Sequence, residues 1–119
     1  MAAEFYIKFR NVKWFQQNKQ KLEETLKGLP TFVKHQNGEF WFRGIESEKA
    51  PASWDFDVRI FINRTDDAFL EIGAHPQSIE RDLQRLFSSL RNETDFDVVD
   101  EDGEPTNWWI EPRVLLRTP

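Results

Sequence analysis

Trp54-Asp55-Phe56-Asp57-Val58-Arg59-Ile60-Phe61-Ile62 alternates without a break. Trp54, Phe56, Val58, Ile60 and Ile62 share one face; Asp55, Asp57, Arg59 and Phe61 share the other. Period-two alternation marks a strand buried on one side only. Residues 4–10 repeat the pattern, with Phe5, Ile7 and Phe9 opposed to Tyr6, Lys8 and Arg10. A sheet of such strands has one apolar face that a second layer must cover. The expected core is Phe5, Ile7, Phe9, Leu22, Leu26, Phe56, Val58, Ile60, Leu70, Leu83, Leu86 and Leu90, with Asp55, Asp57 and Arg59 exposed.

Two helical stripes supply the cover. Asn11 is placed to cap a helix in which Phe15, Leu22, Leu26 and Leu29 recur at helical spacing. Lys19 with Glu23, and Gln20 with Glu24, take exposed i,i+4 positions on it, and Gly28 and Pro30 end it. Over residues 76–91, Ile79, Leu83, Leu86, Phe87 and Leu90 fall on one helical face, and Pro76 suits a first turn. Between the helices, Asn37-Gly38 joins residues 31–35 to residues 39–45 as a hairpin, because a type I′ turn needs positive φ at both central positions. Residues 46–53 form a polar connector, and residues 64–67 turn into a strand over residues 68–72. A further strand, residues 96–99, leads to the Asp102-Gly103 turn and a return through Trp108 and Ile110. The order is β-α-β-β-β-β-α-β. The expected fold is α/β of the α+β kind: a two-layer sandwich with a mostly antiparallel sheet of about six strands, two helices on one face and the other face open.

At 119 residues the chain fits one domain, residues 1–119, able to bury a core without staples. Eleven Phe and five Trp supply large buried area per residue. With no cysteine there is neither a disulfide framework nor a thiolate metal site. No run approaches the roughly 18 apolar residues of a membrane span. The start, Met-Ala-Ala-Glu, lacks the basic-then-apolar form of a secretory signal, so a cytoplasmic location is expected. A formal charge of −5 argues against nucleic acid or anionic membrane as non-specific partners.

That charge is local. Seven acids (Glu93, Asp95, Asp97, Asp100, Glu101, Asp102 and Glu104) fall within residues 93–104, which hold no Lys or Arg. Removing these seven from 21 leaves 14 acids against 16 bases, a formal charge of +2 for the remainder. Trp108 and Trp109 follow a few residues later. A focused negative patch steers association with a basic surface, and Trp is a favoured interface anchor. Asp95, Asp97, Asp100, Glu101, Asp102, Glu104, Trp108 and Trp109 are the expected partner-binding residues. An EF-hand loop is the rival for the acids. With Gly103 at its sixth position, the first falls on Val98 and the twelfth on Trp109, neither able to ligate calcium.

No other constellation carries chemistry. His35 and His75 stand far apart, outside any zinc spacing, with His35 on the polar side of its hairpin. Gly-x-Ser-x-Gly and glycine-rich phosphate loops are absent. Asp55 and Asp57 share a strand face with Arg59 and read as a salt-bridged, solvated row. Tyr6, Lys8, Arg10, Trp41 or Phe42, Arg43, Arg59 and Phe61 gather on the open face. Aromatics mixed with Arg suit a single-stranded nucleic-acid platform, although the RNP1 pattern is missing.

Size, acidity, Trp content, lack of cysteine and lack of a catalytic set together resemble a small bacterial immunity protein of the polymorphic-toxin or contact-dependent growth inhibition type. The resemblance spans the whole chain, rests on no diagnostic motif and transfers no site residue. It implies a non-enzymatic inhibitor, with no cofactor and no metal, that binds and neutralises a basic cognate toxin such as a nuclease. The alternatives are a small ligand-binding domain or unrecognised enzyme, and a single-stranded nucleic-acid-binding domain.

Overall fold

The computed structural model describes residues 3–49 and 55–106. The chain runs β1 (Ala3–Phe9), α1 (Val12–Gln17), α2 (Lys19–Lys27), β2 (Phe32–Gln36), β3 (Glu39–Phe42), a 3₁₀ turn (Ile45–Lys49), β4 (Val58–Phe61), β5 (Asp67–Ile72), α3 (Gln77–Arg91) and β6 (Phe96–Asp100). The strands form one six-stranded sheet in the order β2-β3-β4-β5-β1-β6, antiparallel at every pairing. This is the expected α+β sandwich. Among the described residues no helix is long and apolar enough to cross a membrane.

All three helices pack on one face of the sheet. Phe15 of α1 stacks on Phe9, with ring centroids 4.4 Å apart. Leu22 and Leu26 of α2 and Leu86 and Leu90 of α3 close over Ile7, Phe9, Ile60, Ile62 and Ala68. The alternation drives this: Ile7 and Phe9, Phe40 and Phe42, Val58 and Ile60, Leu70 and Ile72, and Phe96 and Val98 all bury their side chains. The expected β2–β3 hairpin turns at Asn37 (φ 52°) and Gly38 (φ 78°), the left-handed pair a type I′ turn requires.

Four expectations need correction. The first helix is two. Asn18 (φ −115°, ψ 22°) breaks it, and its amide side chain donates to the Trp14 carbonyl at 2.8 Å, the local competition with the backbone that disfavours Asn inside helices. Phe5 is only half-buried at the margin of the core. Phe56 belongs to the opposite face, edge-on to Trp41 at 4.9 Å. Finally, Asp57 is 0 % exposed, so the long alternation fails at its start. The chain bends at Asp57, and regular pairing begins only at Val58. Trp54 lies outside the described residues.

Asp57 is buried because it ties three segments together. Its carboxylate accepts from the Gly44 N–H and the Ser47 hydroxyl, both at 2.7 Å. Its backbone N–H donates to Phe42, and its carbonyl accepts from Gly73 and Ala74. Gly44 must be glycine for closeness: a Cβ there would lie 2.5 Å from Cγ of Pro76. Beside it, α3 starts at a Pro that cannot cap it. Glu46, 32 residues away in sequence, caps instead, accepting from both the N–H and the hydroxyl of Ser78. That hydroxyl bond holds the Glu46 carboxyl below the ordinary range. Asp82 of α3 is likewise buried and accepts from the Thr31 N–H and hydroxyl at 2.8 and 2.7 Å.

Candidate functional site

The acidic segment sits on an edge of the sheet, because β6 has a neighbour on one side only. Its turn is rigid. Asp100 Oδ1 accepts from the N–H groups of Asp102 (2.9 Å) and Glu104 (3.0 Å), and the Asp100 carbonyl accepts from Gly103, whose φ of 81° suits glycine. The chain then turns back along β6: Pro105 bridges Val99, and the Thr106 N–H donates to Val98.

The acids are less uniform than their clustering suggests. Glu93 pairs with Lys21 at 2.7 Å. Asp97 takes a two-pronged bond from Arg10, which holds its carboxyl below the ordinary range and raises the guanidinium. Both bases come from distant segments, so the sequence pattern overstated the unneutralised charge. Asp100 serves its own turn, and Asp95 is exposed close enough to Arg10 to act on it by charge. Glu101, Asp102 and Glu104 remain: exposed, adjacent, and without a side-chain partner among the described residues. Trp108 and Trp109 lie outside the described residues.

The uncovered sheet face carries a strip of rings. Tyr6, Phe69 and Phe61 stand side by side on β1, β5 and β4, with centroids 5.3 and 5.4 Å apart. Trp41 and Phe56 form a second group, bridged to the first by Arg59, whose guanidinium covers both Phe56 and Phe61. Of the two sequence alternatives, Trp41 faces outward and Phe42 is core. Phe69 was legible in the alternation of β5 but missing from the expected face. The cations here are largely neutralised. Arg59 pairs with Glu39 at 3.0 Å and with Glu71, and Asp67 takes Lys8 at 2.7 Å and Arg64. Burial pushes the Asp67 carboxyl up, but the bonds from Arg64 and Lys8 outweigh it and leave the group below its ordinary value. The expected Asp55–Asp57–Arg59 row does not form. Asp55 is exposed, Asp57 is on the inner side, and Arg59 prefers cross-strand acids.

A cleft of about 240 Å³ opens where α2, the β2–β3 hairpin and the end of β4 meet. It gathers Lys19, Glu23, His35, Gly38, Phe40, Ile62 and Asn63 from four segments, a grouping that no sequence spacing announces. His35 is not on the open, polar side as expected. A register shift between Phe32 and Lys34 turns it toward the helices, where it stacks on Phe40 at 4.1 Å and approaches Glu23 at 3.8 Å. His75 instead meets Glu80 at the start of α3, 2.9 Å away. Among the described residues no three His, Cys, Asp or Glu side chains gather as a metal would require.

Comparison of the chain with protein-family models, with curated proteins and with solved structures finds no match.

Proposed function

We propose that this chain is a non-catalytic acidic binding protein of the immunity type, which neutralises a basic cognate toxin domain such as a nuclease. The observation that supports the reading is the set Glu101, Asp102 and Glu104, exposed on a hydrogen-bonded turn at a sheet edge and without a side-chain partner among the described residues. A catalytic cleft that binds a polyanion is itself basic, so such a patch complements it and accelerates encounter. Asp95, exposed just before β6, extends the negative surface, and Trp108 and Trp109, a few residues further on, are the aromatic anchors the reading calls for.

The experiment pairs capture with kinetics. The chain and its Glu101→Lys/Asp102→Lys variant are used as baits against lysate of the source cell, and the retained protein is tested for inhibition. A basic protein whose activity the chain suppresses supports the reading, with association by the variant slowed about tenfold and its salt dependence flattened. Equal rates for both baits would sink it.

The ring strip Tyr6–Phe69–Phe61 favours a second reading, a platform on which single-stranded nucleic acid stacks its bases. Against it, Arg59, Lys8 and Arg64 already answer carboxylates on the same face. Anisotropy of a labelled oligothymidylate decides between the two: salt-sensitive binding abolished by Phe69→Ala would favour the platform.

A further inference from the structure

The cleft beside α2 has a charge pattern that its surroundings do not use up. Lys19 and Glu23 stand one helical turn apart, where unlike charges ordinarily meet. Here they do not. Lys19 donates its ammonium to the Arg64 carbonyl at 2.7 Å and rests 4.4 Å over the Phe15 ring. Glu23 turns the other way, its Oε1 at 3.2 Å from Lys27 and 3.8 Å from His35. An ammonium has three donors and a carboxylate two oxygens. Among the described residues Lys19 therefore keeps donors, and Glu23 keeps Oε2, for something between them. Burial also pushes the Lys19 amine below its ordinary pKa, so this cation is partly stripped of water.

The rest of the cleft narrows the class of ligand. Phe40 and Ile62 are buried and give it an apolar floor, and the His35 ring lies flat on Phe40 as a wall. Asn63 adds an amide that can both donate and accept. A phosphate or simple carboxylate would meet Glu23 as a like charge. A metal ion would find one imidazole, one carboxylate and the Asn63 amide oxygen, with the Lys19 ammonium repelling it. An uncharged apolar molecule would cover Lys19 and Glu23 without answering either, a costly burial. At about 240 Å³ the space is below the range of drug-sized ligand pockets. A molecule with an anion and a cation on neighbouring atoms and a short apolar body meets all these conditions.

We propose that the Lys19–Glu23–His35–Asn63 cleft binds a small free α-amino acid, its carboxylate at Lys19 and Asn63, its ammonium at Glu23 and its side chain on Phe40 and Ile62. This goes beyond the toxin-binding reading and does not depend on it, since the acidic hairpin shares no residue with the cleft.

The test is a nuclear magnetic resonance titration of the whole chain with L-leucine, then with the other small and apolar L-amino acids in turn, following the His35 ring and the Gly38 amide. Saturable shifts at about millimolar concentration are expected, the affinity of a site this small. N-acetyl-L-leucine amide, which lacks both charges, and isovalerate, which lacks the ammonium, are expected to leave the signals unmoved. Lys19→Gln and Glu23→Gln are each expected to weaken binding about tenfold, with Asn63→Ala as a gentler variant should either lower stability. The Glu101→Lys/Asp102→Lys protein is expected to bind as the parent does, which separates this site from the hairpin. Absence of saturable shifts with every amino acid, equal binding of the blocked amide, or undiminished binding by the folded variants would each overturn the proposal.

Discussion

Two groups of carboxylates in this chain differ in almost everything except chemistry. Asp57, Asp82 and Glu46 each accept from a backbone N–H and a hydroxyl, joining a loop or strand end to a helix or another strand. Glu101, Asp102 and Glu104 project from an edge turn with no side-chain partner among the described residues. The first group, with Asp57 and Asp82 buried and Glu46 exposed, works as architecture and the second as a surface. Clustering revealed the second group. Nothing in composition revealed the first, since the partners of each member lie in segments distant along the chain.

The largest effect separating the groups is expected at Asp57. Asp57→Ala leaves the buried Gly44 N–H unanswered and frees Ser47, a loss of about 3 kcal/mol in chemical denaturation. A loss near zero would mean that the bend at Asp57 is held by backbone bonds alone. Next comes Glu46→Ala, which uncaps α3 and is expected to lower Tm by less than Asp57→Ala does. Hydrogen exchange at the first turn of α3 should rise with it. Unaltered exchange there would show that Pro76 and the first turn need no cap from outside.

Acidification should act on Asp67, whose partners Lys8 and Arg64 favour its charged form. Asp67 has a folded-state pKa below its ordinary value, so it contributes stability at pH above about 4. That contribution is lost as pH falls through the lowered folded value. Asp67→Asn should therefore flatten the decline in stability between about pH 5 and pH 2, measured by urea unfolding. An unaltered decline would show that the pairs with Lys8 and Arg64 add nothing to stability. The smallest change belongs to Glu101→Lys/Asp102→Lys, expected within about 0.5 kcal/mol of the parent because a solvated turn gives up no core contact. A larger loss would make the hairpin part of the architecture after all.

Much of the fold was legible. Alternation in β1, β4 and β5, the Asn37-Gly38 turn and the stripe Ile79–Leu83–Leu86–Leu90 are local patterns, set by side-chain period and turn sterics alone. The misreadings share one cause. Asp57, the break at Asn18, and the turning of His35 toward Phe40 each depend on a partner far along the chain or on a single irregular residue, and periodicity averages over both. At the candidate site, the acidic hairpin and its turn were legible, whereas the bases that answer Glu93 and Asp97 come from α2 and the end of β1.

By itself, the sequence determined which faces are apolar, where the turns fall and where negative charge collects, because these follow from covalent order and near-neighbour geometry. Only tertiary structure decided the strand order β2-β3-β4-β5-β1-β6, which acids are buried and which are free, and the meeting of Lys19, Glu23, His35 and Asn63 around one cleft. The physical reason is range. A side chain's period is written in its neighbours, but its burial and its partner are set by whichever distant segment the packed core brings beside it.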